Sequence, residues 1–416
     1  MPKRETGSRL EVYMRDHLVG HLWLDERNRF VFQYSLSWLQ HEHAAPLSLS
    51  LPMREESYAD DTARPFFSNL LPEAEIRRVL TRRLGISDHN DFALLREIGQ
   101  ECAGAVSILP KGLKPRLKQG YRELSEKELH KVIAELPKRP LLYGEEGVRL
   151  SLAGAQSKLP VYMEGDRIFL ATGNSPSTHI LKPPIPDLKE TVENETFCMR
   201  LAAGVGLSVP KTTLRTGTDR LYIVERFDRE RDQAGEVIRL HQEDFCQALG
   251  VLPDQKYESE GGPSLVDCFS LLKRYSSHPA ADQKALLTWV IFNFLTGNSD
   301  SHPKNLAMLF TPEGPRLAPF YDLICTRVYP DLSHRLAMRI GGENRSEWVG
   351  PRHWDRLAAS VDIKPRFIHV ILREMARRLS SNVASSAAAF SEQYGHSSIV
   401  EEISTLVKKS AAKAVS

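Results

Sequence analysis

Asp300 and Asn305 stand five positions apart in the segment Asn298-Ser299-Asp300-Ser301-His302-Pro303-Lys304-Asn305. An acid followed at that distance by an amide is the spacing of a kinase catalytic loop. The chemistry explains the pair. A carboxylate beside an incoming hydroxyl accepts its proton, and a neutral amide oxygen nearby helps to fix Mg²⁺ against phosphates. Further on, Leu317-Ala318-Pro319-Phe320-Tyr321-Asp322 is a short apolar segment ending in a carboxylate. A kinase places its main Mg²⁺ ligand there, although Tyr-Asp-Leu stands here in place of Asp-Phe-Gly. A lone aspartate near a turn is better explained as a cap. The three residues in this order favour phosphoryl transfer.

Upstream, Arg149-Leu150-Ser151-Leu152-Ala153-Gly154-Ala155-Gln156-Ser157-Lys158 sets small residues between strand-like stretches. Such a loop lets backbone N–H groups approach phosphates closely, so Ala153, Gly154, Ala155, Gln156 and Lys158 are candidate nucleotide contacts. A plain hairpin turn accounts for the same residues. The strand Thr178-His179-Ile180-Leu181-Lys182-Pro183 carries one lysine, ahead of a helix containing Glu193 and Glu195. A kinase needs such a lysine on the α/β-phosphates, steadied by a helix glutamate; a solvated lysine is the ordinary alternative. Leu221-Tyr222-Ile223-Val224-Glu225-Arg226-Phe227-Asp228 is an apolar strand meeting a charged turn. It occupies the place where a kinase's lobes hinge and backbone groups pair with adenine, and it reads equally well as a strand end with surface charges.

The elements that must position these residues can be read from periodicity. Residues 10–14, 19–24 and 30–34 alternate as a small antiparallel meander. Ile76, Val79, Leu80 and Leu84 predict a helix over 72–84, and Asp91 to Ile98 a second one. Cys102–Val106 is read as a return to strand, and the basic stretch from Pro110 to Tyr121 as a linker. A helix over Glu193–Leu201 stops near Gly204, and an apolar helix over 281–296 ends at Gly297, directly before the catalytic loop. After Asp244 the chain is expected to be mainly helical. Another helix runs from Pro365 to about Leu379, and the Ser- and Ala-rich tail from Ser380 is helix-compatible but weakly periodic.

Composition bounds the class. The chain has 416 residues, 41% hydrophobic and 26% charged, with net charge +2, as an ordinary soluble globular protein does. No apolar run approaches the roughly 20 residues of a membrane span, and the start Met1-Pro2-Lys3-Arg4-Glu5 does not open a signal peptide. Five scattered cysteines, with no Cys-x-x-Cys pair, argue against a disulfide framework or zinc site. A reduced, cytoplasmic protein is expected.

These segments in this order resemble the HipA family of bacterial toxin kinases. The match involves Ser-Leu-Ala-Gly-Ala-Gln-Ser-Lys from Ser151, His-Ile-Leu-Lys-Pro around Lys182, Asn194-Glu195, and Val-Glu-Arg-Phe-Asp from Val224. It continues through His-Gln-Glu-Asp-Phe-Cys-Gln-Ala-Leu-Gly from His241, the Asp300–Asn305 loop and Pro319–Asp322. At the front, Pro46–Pro52, Phe66–Pro72 and Glu101–Val106 agree as well. The resemblance covers about residues 10–380. It implies an α+β, two-lobed protein-kinase-like fold, with a β-rich N-terminal lobe, an additional small N-terminal subdomain and a mainly helical C-terminal lobe. Expected segments are 1–112, the N-terminal subdomain; 113–240, the rest of that lobe with phosphate loop, lysine and hinge; and 241–416, the helical lobe.

Residue by residue, the resemblance implies Asp300 as base, Asn305 and Asp322 as Mg²⁺ ligands, and Lys182 on the phosphates of ATP. It implies that backbone groups of Glu225 and Phe227 pair with adenine, that His302 and Lys304 line the loop, and that Ser151 is the autophosphorylated serine. It further implies a helix-turn-helix antitoxin of the HipB type that binds operator DNA, and an aminoacyl-tRNA synthetase as a candidate protein substrate.

Two other classes stay open on the residues alone. Small-molecule phosphotransferases use a similar Asp–Asn–Asp arrangement; the long front domain and Ser151 favour the toxin kinase. A non-catalytic subunit assisting an antitoxin on DNA is disfavoured by the intact Lys182, Asp300, Asn305 and Asp322. Arg366, Arg373, Arg377 and Arg378 invite a DNA-contact reading, but their helical spacing around Glu374 favours a solvated face.

Overall fold

The alternating front of the chain forms a four-stranded antiparallel sheet. β1 (Leu10–Met14) pairs with β2 (His17–Leu24) in the register Leu10↔Leu22, and β2 pairs with β3 (Phe30–Tyr34). β4 (Val106–Pro110) closes the order β3-β2-β1-β4. Gly20 is required where β2 meets β3, because a Cβ there would collide with the Gln33 carbonyl. Period-two alternation sends Leu10, Val12, Phe30 and Phe32 to one face, where they pack with Phe66, Phe67, Leu94 and Leu95.

The computed structural model describes residues 9–115, 120–143, 151–173 and 175–415; Arg149 and Leu150 lie outside them. Two compact units are assembled from separate chain segments. The first comprises Met1–Leu181, Arg226–Asp254 and Leu309–Thr311; the second comprises Lys182–Glu225, Gln255–Met308 and Pro312–Ser416.

In the first unit the front sheet is joined by helices Asp60–Ser68, Ala74–Leu84 and Asp91–Ile98. The second of these starts two residues later than periodicity suggests and ends on Gly85 at φ +66, a left-handed cap that glycine adopts without steric cost. Cys102–Ala105 does not extend a strand. It turns through Gly104 at φ +68, and strand begins only at Val106. A further antiparallel set runs β5 (Gly120–Glu123), β7 (Arg167–Thr172), β6 (Leu159–Glu164), β8 (His179–Lys182), so that β8 ends at the lysine singled out above.

The second unit holds the hairpin of β9 (Thr212–Arg215) with β10 (Leu221–Glu225) and the helix Thr191–Gly204. Its centre is the helix Pro279–Thr296, which buries Leu286, Leu287, Val290, Ile291 and Leu295 and ends on Gly297 at φ +78. The chain after Asp244 is mainly helical but also carries strands, among them Arg335–Ile340 and Glu343–Arg345. The helix from Pro365 does not stop near Leu379; it continues to Tyr394, burying Val383 and Phe390. A last helix, Ser398–Val415, buries Ile399, Val400, Ile403, Val407 and Ala411. Its Leu406 lies against Gly297, where a Cβ would come within 3.1 Å of the leucine.

All five cysteines are free and buried. Among the described residues no helix is long and apolar enough to cross a membrane.

Candidate active site

The catalytic-loop residues are held by their own chain. Beyond Gly297, the Asn298 amide donates to Asn293 Oδ1 (2.9 Å) and its Oδ1 accepts from Asp300 N (3.1 Å). Ser299 N donates to Thr326 Oγ1 at 2.8 Å. Asp300 O then accepts from His302 N (2.9 Å) and from Asn305 Nδ2 (3.0 Å). The last bond joins the acid and the amide that spacing paired, and the turn Pro303–Asn305 brings the amide round. His302, Lys304 and Asn305 are buried, whereas Asp300 is exposed. Its Oδ1 accepts a hydrogen bond from the Tyr257 hydroxyl at 2.8 Å.

A cluster of charges lies in the same unit. Lys182 Nζ donates to Glu195 Oε1 at 2.7 Å and to Asp322 Oδ1. The lysine and Glu195 side chains are buried, but that of Asp322 is 39% exposed. Burial alone would lower the Lys182 ammonium; Asp322 and Glu195 outweigh it and hold the group above the ordinary lysine range. The Tyr222 ring lies 5.4 Å from the ammonium, close enough for a cation–π contribution. Asp322 itself sits at φ +54, a left-handed backbone that aspartate tolerates better than most residues, at a cost of about 1 kcal/mol.

Side chains tie these pieces together. The Tyr321 hydroxyl donates to Lys304 O at 2.7 Å, linking the Asp322 segment to the catalytic loop. Buried Asn194 donates to Cys325 O (2.9 Å) and accepts from Cys325 N (2.8 Å), fastening the chain after Asp322 to the Glu195 helix. Of the two helix glutamates, Glu195 meets the lysine; Glu193 accepts instead from Arg220 Nε at 2.5 Å. Asp300, Asn305, Lys182, Glu195 and Asp322 are therefore gathered in one unit by a continuous set of bonds. Tyr257 and Tyr222 carry no local sequence signal, because each acts through a contact distant in the chain. Asn194 was visible only as part of an Asn-Glu pair.

The remaining candidates lie largely in the first unit. Ser151 is fully buried: its Oγ donates to Leu70 O (2.7 Å) and its N to Glu101 O (2.8 Å). The loop after it turns at Gly154, φ +110, and Lys158 Nζ folds back onto Ala153 O at 2.7 Å. Ala155 is exposed and Gln156 half-buried. Of the two hinge positions, Phe227 belongs to this unit, and Glu225 to the second, where its N–H donates to Lys211 O (3.0 Å).

Beside Phe227 the first unit buries a second charge cluster. Asp228 takes two hydrogen bonds from Arg226 (2.9 and 2.8 Å), one from Gly104 N (2.8 Å) and an ion pair from Arg229 (3.0 Å). Glu101 accepts from Arg229 (3.0 Å), Ser177 N (3.2 Å) and Ser177 Oγ (3.0 Å). Burial would raise both carboxyls, but Arg226 and Arg229 overcome it and hold them below the usual carboxylate range. Arg229 is itself lowered to about 10 by burial and by Arg226.

The donor types of Asp322 and Asn305 suit a hard cation. An Asp carboxylate and an Asn amide oxygen are what Mg²⁺ accepts from a protein when phosphates and water complete its shell. Among the described residues no group of three or more His, Cys, Asp or Glu is placed to hold a metal ion, so a cation here would depend on such partners.

Comparison with known proteins bears on both units. The family described as "HipA-like C-terminal domain" matches residues 150–383, and "HipA N-terminal domain" matches residues 10–109. A Sinorhizobium fredii protein named "Putative kinase Y4mE" is 44% identical over 386 residues, covering 91% of this chain and 90% of its own. The "Serine/threonine-protein kinase toxin HipA" of Shewanella oneidensis is 35% identical over 350 residues, covering 80% and 79%. A solved structure of the Shewanella oneidensis toxin–antitoxin system, HipA and HipB with operator DNA, superposes with TM-score 0.84 at 30% identity over 97% of both chains. The fold class is accordingly α+β and two-lobed, of the HipA kinase-like type.

Proposed function

The chain belongs to the HipA family, and from that premise we propose that it is an ATP-dependent serine/threonine protein kinase acting as the toxin of a toxin–antitoxin pair. One observation carries this reading furthest. The Lys182–Glu195–Asp322 ion pairs and the Asp300–Asn305 loop are joined in one unit through the Tyr321–Lys304 hydrogen bond.

In this proposal Lys182 leaves Asp322 to hold the α- and β-phosphates, while Glu195 keeps the ammonium in place. Asp322 and Asn305 bind Mg²⁺, which when present neutralises phosphate charge. Asp300 takes the proton of the acceptor hydroxyl as its oxygen attacks the γ-phosphorus, the bond from that phosphorus to the β,γ-bridging oxygen breaks and ADP leaves. Ala153, Gly154, Ala155, Gln156 and Lys158 contact the phosphates, backbone groups of Glu225 and Phe227 pair with adenine, and His302 and Lys304 line the catalytic loop. The segments 1–112, 113–240 and 241–416 are proposed as subdomain, ATP-binding and catalytic segments.

Ser151 is the proposed site of self-phosphorylation. Its burial means that the serine must first leave the Leu70 carbonyl. A phosphoserine, with about −1.5 to −2 charges, would not fit back beside Leu70 and Glu101, so modification would hold the loop away from its present place. Peptide mass mapping after prolonged incubation with Mg-ATP tests this. Phosphate at Ser151 and weakened ATP binding by the modified protein are expected; phosphate found only elsewhere would remove the switch.

The likeness to the Shewanella oneidensis complex supports a cognate HipB-like helix-turn-helix antitoxin as partner and, through it, operator DNA. A cytoplasmic protein is the proposed substrate, with an aminoacyl-tRNA synthetase as the candidate, and the cytoplasm the proposed location.

A further inference from the structure

Tyr257 makes a bond that the reaction needs for something else. Its hydroxyl donates to Asp300 Oδ1 at 2.8 Å. An acceptor hydroxyl must donate a hydrogen bond to the same carboxylate before it can be deprotonated, and the tyrosine already holds one of its two oxygens. We propose that Asp300 Oδ1 is the oxygen that takes the proton and that Tyr257 occupies the acceptor position on it, so that a serine or threonine hydroxyl, or water, reaches that oxygen only by displacing the tyrosine hydroxyl. The inference rests on Asp300 being the base.

Three observations carry it. First, the tyrosine is preorganised within its own unit. Tyr257 O accepts from Glu260 N and Gly262 N, both at 2.9 Å, and a side chain at Gly262 would collide with the Gln255 carbonyl. Next in sequence, Glu258 Oε2 accepts from Arg339 N at 2.5 Å on the strand Arg335–Ile340. The ring stands edge-on to His302 of the catalytic loop, with centroids 5.4 Å apart.

Second, Asp300 does not depend on the tyrosine for its position. Its backbone N–H is held by Asn298, and its carbonyl by His302 N and Asn305 Nδ2. Third, the hydroxyl–carboxylate bond is exposed, so an incoming hydroxyl can exchange with it without opening a buried space.

The arrangement has a direct kinetic consequence. Only the fraction of molecules in which Asp300 has released Tyr257 can react, and apparent activity is scaled by that fraction. A hydrogen bond to a charged acceptor biases such an equilibrium by on the order of tenfold. The device would suppress idle transfer to water and would set a threshold that a well-bound protein acceptor can exceed.

Steady-state ATP hydrolysis by the full chain in Mg²⁺ tests the proposal, with water as acceptor and Tyr257→Phe as the variant that keeps the ring and removes only the hydroxyl. The expected result is a rise in kcat of on the order of tenfold, an unchanged KM for ATP and an unchanged melting temperature. A fall in kcat would mean that the tyrosine orients the base, and an unchanged kcat that it is a bystander; either overturns the proposal. Phosphate mapped to Tyr257 itself would overturn it too, making the residue an acceptor and not a placeholder. Asp300→Asn measured alongside separates the layers. If that variant hydrolyses ATP at the wild-type rate, it is the base assignment that fails.

Discussion

Each unit contains a cluster of opposed charges, and the two are closed to different degrees. In the first, Glu101 and Asp228 are surrounded by Arg226, Arg229 and Ser177, and all of these side chains are buried. Arg239 is buried close by and donates to the carbonyls of Cys102, Gly104 and Val106. Such a set has no partner to exchange. In the second, Lys182 and Glu195 are equally buried, but Asp322 is 39% exposed on a left-handed backbone, and Asp300 of the same unit is exposed as well. A lysine shared between two carboxylates, one of them reachable from solvent, can trade that carboxylate for a phosphate. Closure suits a structural cluster, and an exposed member is what a chemical one requires.

The closed cluster should be indispensable to the fold. Asp228→Ala leaves the buried Arg226 and Arg229 guanidiniums to share Glu101, and a buried pair broken in this way costs about 3–5 kcal/mol. Urea unfolding followed by circular dichroism should show a loss of that size. A loss under about 1 kcal/mol, the range of exposed pairs, would mean that the cluster is not closed in solution.

The open cluster should give the opposite signature. Asp322→Asn keeps a residue that tolerates the left-handed backbone and removes the charge. Mg-ATP affinity should drop on the order of ten- to a hundredfold or more, while unfolding stability changes by less than in Asp228→Ala. Unchanged affinity in isothermal titration would remove Asp322 from the metal site.

A smaller effect separates the closed cluster from a third buried acid. Glu243 accepts from Leu49 N at 2.9 Å and from Ser48 Oγ, and burial pushes its carboxyl up to about 8. A carboxyl raised on folding binds its proton more tightly in the folded state, so stability falls as pH rises from its unfolded value near 4.5 towards 8. Glu101 and Asp228 are lowered on folding; their contribution is present above the ordinary carboxylate range and is lost as pH falls below it. Melting temperature measured across pH should therefore decline on both sides, and Glu243→Gln should flatten only the slope between about pH 5 and 8. An unaltered slope there would show that Glu243 is ionised in the fold.

How much of this was legible in the sequence follows from chain distance. The pairing of Asp300 with Asn305 is contained in one loop, and the glycine that stops the preceding helix is adjacent to it. Both could be read directly. The burial of Ser151 could not, because its cover comes from Leu70, 81 residues away, and from Glu101. The same holds for Tyr257, which meets a carboxylate 43 residues downstream. Choosing Glu195 over Glu193 required the direction of each side chain, which two positions on one short helix do not reveal. The helix Asp60–Ser68 was missed because Pro65 inside it reads as a breaker. The tail was underread because its serines and alanines hide a buried stripe at Ile399, Ile403, Val407 and Ala411.

Asp300 as the base of a phosphoryl transfer is tested by intact-mass measurement after incubation with Mg-ATP. The wild-type chain should gain the mass of a phosphoryl group, and folded Asp300→Asn should do so at a rate lower by about 10²–10⁴-fold. Phosphorylation of a folded Asp300→Asn protein at the wild-type rate, or none in the wild type after prolonged incubation, would contradict it.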